Sequence, residues 1–175
     1  MKETTFEEKR IFSGNLLKLN ADRVILTNGI KTYREYVSHP GAVAAIPFLS
    51  ASEIILIKQY RYATRETLLE IPAGTIEKNE TPEETVIREL QEEIKYKPGK
   101  IEKLISVYLS PGYSSEKIHI FKATDLKECG LETEEDEKIE VVVMKIEEAL
   151  SKIHSGEIKD GKTVIAILSY INRAV

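Results

Sequence analysis

The stretch Gly74-Thr75-Ile76-Glu77-Lys78-Asn79-Glu80-Thr81-Pro82-Glu83-Glu84-Thr85-Val86-Ile87-Arg88-Glu89-Leu90-Gln91-Glu92-Glu93 decides how the rest of the chain is read. Its second half predicts a helix over residues 82–94. Thr81 suits the N-cap, Pro82 suits the first helical position, and Glu84 completes a Thr-x-x-Glu capping box. Val86, Leu90 and Ile94 recur at i, i+4 and i+8, an apolar stripe for a core. Glu89, Glu92 and Glu93 lie at i, i+3 and i+4 and share one face, where a like-charge pair destabilises a helix by roughly 0.2–0.5 kcal/mol. Glu84 and Arg88, four apart, read as a compensated pair. A face that concentrates carboxylates against repulsion suits a cation, and hard Mg²⁺ takes oxygen ligands while sharing them with substrate phosphates. Taken alone, the triad is more often a solvated acidic face, a common pattern on exposed helices.

Working outward, residues 42–48 and 53–59 read as buried strands joined by the polar turn Ser50-Ala51-Ser52. Downstream, strands fit 101–109, 117–123 and 139–145, and helices fit 146–154 and 162–173. This alternation predicts an α/β (α+β) chain with a mixed β-sheet sandwiched between helices. The beginning of the chain differs, with short strands punctuated by Gly14-Asn15, Asn28-Gly29 and His39-Pro40. Asn28-Gly29, between two strand-like runs, is a hairpin signal. A small antiparallel β unit over 1–40 and a main domain over 41–175 are therefore expected. The first has too little apolar content to stand alone.

At 175 residues, 42% hydrophobic and 31% charged, the chain can bury a sizeable core. A net charge of −4 argues against a nucleic-acid backbone binder, which depends on clustered Lys and Arg. The lone Cys129 excludes an intrachain disulfide and a Cys-rich zinc site. The first eight residues lack the apolar run of a signal peptide, and no apolar run is long enough to span a bilayer, so a cytoplasmic protein is expected. His39, His119 and His154 match no metal-ligand spacing.

Spacing raises the acidic helix above a solvated face. The pattern from Gly74 through Glu80 to Arg88-Glu89-Leu90-Gln91-Glu92-Glu93 resembles the Nudix box, G-x5-E-x7-R-E-U-x-E-E-x-G-U, where U is apolar. Six fixed identities agree, at chance odds on the order of 10⁻⁴ to 10⁻⁵; Leu90 and Tyr96 fit the apolar positions. The box's late Gly is Lys95 here. Such a Gly usually serves a left-handed backbone, where a side chain costs about 1 kcal/mol, so an altered helix exit with the chemistry kept is expected. The likeness extends to Lys58-Gln59-Tyr60-Arg61-Tyr62 and Glu70-Ile71-Pro72-Ala73-Gly74, which are similar to the strand and loop of the ADP-ribose pyrophosphatase branch. Pro111 stands about fifteen residues past the box, where that branch carries a Pro.

The resemblance implies a Nudix fold and Mg²⁺-dependent hydrolysis of the ADP-ribose pyrophosphate to AMP and ribose 5-phosphate, with Mn²⁺ able to substitute. It implies Glu89 and Glu93 as metal ligands, the Ala73 carbonyl as a third, and Glu92 as a ligand or as a catalytic group just behind the metal. Gly74, Glu80 and Arg88 would be structural, the last two bracing loop and helix through a salt bridge. Arg61 would contact substrate phosphate or ribose, with Arg34 and Glu116 as weaker substrate-binding candidates. In the acidic run Glu132-Thr133-Glu134-Glu135-Asp136-Glu137, Glu135 matches best the catalytic base of a mobile loop, and Glu137 second; closure of such a loop can complete a site. The implied partners are a small nucleoside diphosphate substrate and a second copy of the chain, a homodimer through the N-terminal strands. Nucleic acid and membrane are not implied. Two alternatives stay open. One is another nucleoside diphosphate derivative (a sugar nucleotide, a dinucleoside polyphosphate or an oxidised nucleotide). The other is a non-catalytic ADP-ribose-sensing module, since a fold alone does not establish activity.

Overall fold

The computed structural model describes residues 2–129 and 138–173. Its first strands are β1 (Thr4–Glu7), β2 (Arg10–Ser13), β3 (Lys18–Ile25) and β4 (Lys31–Ser38). They lie in the first of two compact units, which takes the chain up to Gly41 together with Tyr108–Lys117. β3 pairs antiparallel with β1 near one end, with β2 near the other, and with β4 along its full length. The β3–β4 hairpin closes at Asn28-Gly29 through a three-residue loop. Gly29 N–H donates to Leu26 O and Leu26 N–H to Ile30 O, each at 2.9 Å, and Gly29 has φ of +83°. That left-handed position is the one a glycine takes without steric cost.

The interior of this unit is partly polar. Asn20 and Asp22 are buried, with Asn20 Nδ2 donating to Ser38 Oγ at 2.6 Å and Tyr36 O–H to Asp22 Oδ2 at 3.0 Å. Phe6, Ile11, Phe12, Leu16 and Leu17 remain exposed. Pro111 sits in a turn closed by Tyr113 N–H to Ser110 O at 3.1 Å, and Val37 N–H of β4 donates to Tyr113 O at 2.8 Å.

The second unit contains β5 (Ala42–Pro47), β6 (Glu53–Arg61), β7 (Glu66–Glu70), β8 (Ala73–Thr75), α1 (Pro82–Glu93) and β9 (Tyr96–Lys97). It continues through β10 (Lys100–Tyr108), β11 (Lys117–Thr124), β12 (Lys127–Glu128), β13 (Ile139–Lys145), α2 (Ile146–His154) and α3 (Gly161–Arg173). The expected mixed α/β arrangement is present, with its strands distributed over separate sheets. A four-stranded sheet runs β10-β11-β5-β8, with β11 and β5 parallel, and an antiparallel sheet runs β13-β6-β7. β5 is the hub. All six of its residues are buried, and both α1 and α3 pack on it. Val43 and Ala45 join Ile55, Ile57, Phe121 and Ala123 against Val86, Leu90 and Ile94 of α1. Alternation along the strand sends Ala44 and Ile46 to the opposite face. Among the described residues, no helix is long and apolar enough to cross a membrane.

The capping box forms at the start of α1: Glu84 N–H donates to Thr81 Oγ1 at 3.2 Å and Thr81 N–H to Glu84 Oε2 at 2.8 Å. That occupies Glu84, which also accepts the Thr81 hydroxyl, so the expected Glu84–Arg88 pair gives way to other carboxylates around Arg88. The helix exit corrects a second expectation. Lys95 has φ of +65°, so it takes the left-handed conformation itself rather than rerouting the chain. Its carbonyl accepts Cys129 N–H at 2.8 Å, while its Nζ is buried with no hydrogen-bond partner among the described residues. Tertiary contacts hold the exit, and the side chain carries the strain. Lys95→Gly should therefore raise stability by about 1 kcal/mol, or ~2–4 °C in Tm, by relieving left-handed strain and an uncompensated ammonium. A drop in the thermal midpoint measured by circular dichroism would mean that packing of the Lys95 stem outweighs both.

Candidate active site

The site is assembled where the acidic face of α1 meets the backbone of β8. Ala73, Gly74 and Thr75 pair with Ala44, Val43 and Ala42 at the edge of β5, which fixes their height above the core. From α1, Glu93 reaches down so that its Oε2 accepts Ala73 N–H at 3.0 Å. Glu89 lies directly over Gly74: a Cβ built there would fall 1.9 Å from the Glu89 Cδ and Oε1 atoms. Only a residue without a side chain lets that carboxylate rest against the strand. Ala73, Gly74, Glu89 and Glu93 are thus brought together.

Arg88 absorbs the repulsion read from the helix pattern. Its Nε and Nη2 donate to the two Glu80 oxygens at 3.0 and 3.1 Å. Its Nη1 lies 2.8 Å from Glu92 Oε2 and 2.9 Å from Glu89 Oε1. One guanidinium thereby serves three carboxylates. The hydrogen bonds from Arg88, reinforced by the Thr85 hydroxyl at 2.9 Å, outweigh burial and hold the Glu80 carboxyl down at about 2. The same contacts push the Arg88 guanidinium further above its ordinary range.

The donors gathered here are oxygens: the carboxylates of Glu89, Glu92 and Glu93 beside the main chain of Ala73. This is a hard set that suits a divalent cation. Among the described residues, no three His, Cys, Asp or Glu side chains converge closely enough to hold an ion as they stand. Arg88 explains this physically, because it draws one oxygen of Glu89 and one of Glu92 to itself. A cation held by Glu89 and Glu93 would take over that compensation, leaving Arg88 its paired contact with Glu80.

A second charged cluster surrounds the segment leading into Ala73. Arg61, expected to face substrate, grips Glu70 with two hydrogen bonds, Nε to Oε1 at 2.9 Å and Nη2 to Oε2 at 2.7 Å. Glu70 is completely buried and is also bonded by Lys162 Nζ, which donates to Asp160 Oδ1 at 3.1 Å. Burial would raise the Glu70 carboxyl, but the Arg61 hydrogen bonds and the Lys162 charge outweigh it and hold it low. Sequence reasoning read Glu70 only as part of the family-like segment, with no role of its own, and gave none to Asp160, Lys162 and Thr163. The pairing of Glu70 with Lys162 spans 92 positions, and no local spacing signals it.

The remaining candidates belong to other parts of the chain. Arg34 is on β4 of the first unit, where its Nε and Nη2 donate to Glu3 at 2.8 and 2.6 Å. Glu116, half-buried, belongs to the same unit and donates its N–H to Ser114 Oγ at 3.1 Å. Glu135 and Glu137 lie outside the described residues. Of the histidines, His39 Nδ1 accepts Gly41 N–H, and His119 Nδ1 is paired with Ser106 Oγ.

Comparison with known proteins agrees with this geometry. A NUDIX domain is matched over residues 38–165. The chain is 42% identical over 169 residues to the ADP-ribose pyrophosphatase of Bacillus subtilis (strain 168), covering 95% of this chain and 91% of that protein. It is also 42% identical to the methanol dehydrogenase activator of Bacillus methanolicus, with the same coverage of 95% and 91%. A solved structure described as an ADP compounds hydrolase superposes with a TM-score of 0.88 at 23% identity, over 98% of this chain and 94% of that one; at that identity the match speaks for the fold.

The Glu80–Arg88 brace should be visible in acid. The folded Glu80 carboxyl sits at about 2 against an ordinary 4.5, so the unfolded chain binds its proton first as pH falls. Its stabilisation is therefore complete above the ordinary value and is lost as pH drops towards about 2. Glu80→Gln should have a lower urea midpoint than wild type near neutrality, with the gap closing across that window. A gap that stays constant through the acid range would show that ionisation of Glu80 contributes nothing.

Proposed function

The chain belongs to the Nudix family, and from that premise we propose that it hydrolyses the pyrophosphate of ADP-ribose to AMP and ribose 5-phosphate with Mg²⁺. The observation that carries this reading is the folding of Glu89 and Glu93 onto Ala73-Gly74, in a chain so similar to a named ADP-ribose pyrophosphatase. A bound divalent cation would neutralise the closely spaced pyrophosphate oxygens and lower the pKa of an attacking water. Glu89 and Glu93 hold that cation with the Ala73 carbonyl, and Glu92 backs them as a further ligand or catalytic group. Glu80 and Arg88 keep the helix and its loop in register. Arg61 holds the diphosphate. Glu135 accepts the proton of the attacking water, with Glu137 the second choice for that role. Arg34 and Glu116 are the outlying substrate contacts. Most of the acceleration would come from positioning and from stabilising charge as it develops.

The methanol dehydrogenase activator, matched at equal identity, keeps a second reading alive. That name specifies no substrate, so another nucleoside diphosphate derivative is the rival. We also place the exposed apolar residues of the first unit in a homodimer interface. All four residues of β2 are exposed, Ile11 and Phe12 among them, and Phe6, Leu16 and Leu17 add to an apolar display unusual for a monomer surface.

A substrate panel with Mg²⁺ tests the central claim, with AMP release expected to be fastest from ADP-ribose. Faster turnover of a sugar nucleotide or dinucleotide would overturn the substrate, and ADP-ribose binding without any turnover would leave a sensor. Glu93→Gln should lower kcat at least about a hundredfold, the equivalent of several kcal/mol of lost charge stabilisation, with an unchanged circular dichroism spectrum. Glu135→Gln should be similarly impaired; normal turnover there with an inactive Glu137→Gln would transfer the base to Glu137. Light scattering should return twice the chain mass, and a monomer would remove the interface.

A further inference from the structure

Glu70 has more positive charge around it than its burial requires. A buried carboxylate needs one well-placed cation, and the bidentate Arg61 supplies it at 2.9 and 2.7 Å. Lys162 nevertheless bonds the same Oε2 atom and bridges to Asp160 Oδ1 at 3.1 Å. The four side chains form a neutral set of two cations and two carboxylates. Their exposure separates them: the Arg61 side chain is 39% exposed, that of Lys162 10% and that of Glu70 1%. Arg61 is the outer cation and Lys162 the inner one.

Lys162 is also the better anchored. It lies in the first turn of α3, where Asp160 Oδ2 accepts Thr163 N–H at 3.0 Å and the Thr163 hydroxyl at 2.6 Å. The Thr163 oxygen in turn accepts Ile71 N–H at 2.9 Å, tying this turn to the residue after Glu70. The inner cation is therefore set by backbone and capping bonds, while the outer one ends a long, flexible side chain facing solvent.

We propose that Lys162 is a positioning residue acting through Glu70: it gives the buried carboxylate a permanent counter-charge, so that Arg61 can leave Glu70 for the substrate diphosphate. This rests on the reading of Arg61 as the diphosphate-holding cation. With Lys162 present, departure of Arg61 leaves an ammonium bridging Glu70 and Asp160. Without Lys162, the same departure strands two carboxylates, one of them fully buried, and the guanidinium stays where it is. Removing the charge of Glu70 as well would release it again. Charge logic predicts that second-site recovery; simple loss of packing does not.

The test is equilibrium binding of ADP-ribose by calorimetry in EDTA, where no turnover competes. Arg61→Ala and Lys162→Met should each bind on the order of tenfold more weakly, while Lys162→Arg and the double variant Glu70→Gln/Lys162→Met should stay within about threefold of wild type. Wild-type affinity in Lys162→Met beside weak binding in Arg61→Ala overturns the role of Lys162 and leaves the Arg61 reading standing. Wild-type affinity in Arg61→Ala removes that reading and this proposal together. A double variant that binds no better than Lys162→Met overturns the counter-charge mechanism. Should Lys162→Met fail to fold, Glu70→Gln and the double variant must bind alike, because no Glu70 charge is left for Lys162 to balance once Arg61 departs; a tenfold difference between them refutes the proposal.

Discussion

The close approach of α1 to the backbone at Ala73-Gly74 is the contact on which the site depends, and several unrelated features of the chain converge to permit it. Gly74 leaves room for the Glu89 carboxylate, which a methyl group would displace. Beneath it, Val43 and Ala45 of β5 present a low surface to Val86 and Leu90, so the helix can lie near the sheet. The capping box sets where the helix begins and hence which residues face inward. Glu93 then satisfies the Ala73 N–H that a short edge strand would otherwise leave to solvent. A helix rotated by one residue would lose the apolar packing and the carboxylate contacts at once.

Two charge networks flank this contact and differ in energetic character. The Arg88 network is partly solvated, and its individual pairs are discounted by screening. Its value is geometric: one guanidinium holds the loop carboxylate Glu80 and disciplines Glu89 and Glu92. In the second network the Glu70 carboxylate is buried while the Arg61 side chain is 39% exposed; leaving that carboxylate with no cation at all would cost on the order of 3–5 kcal/mol. This network joins α3 to the segment that enters β8, so the C-terminal helix and that strand share one set of bonds.

The first unit follows another logic. Its sheet buries Val24 but relies on Asn20, Asp22, Tyr36 and Ser38 for internal contacts. Polar interiors of this kind give register and specificity rather than a large hydrophobic stabilisation. Several of its apolar side chains, Phe6, Ile11, Phe12, Leu16 and Leu17, are turned outward.

Local features were legible from the amino-acid order alone. The α1 helix, its Thr81–Glu84 cap, the Asn28-Gly29 hairpin and the Gly74–Glu93 spacing are all decided within a few residues, by hydrogen bonds and side-chain periodicity that neighbours in sequence dictate. Lys95 marks the limit. Its side chain argues locally for a different helix exit, yet packing around Ile94 and the Cys129–Lys95 bond impose the left-handed turn. Arg88 likewise had a local partner in Glu84; its brace with Glu80 was implied by the resemblance, and the fold adds Glu89 and Glu92. The division of the strands among separate sheets depended on tertiary pairing. So did the association of Tyr108–Lys117 with the N-terminal strands and the ion set of Arg61, Glu70, Asp160 and Lys162. Partners 92 residues apart are chosen when the chain closes on itself, by burial and charge that no window of sequence contains.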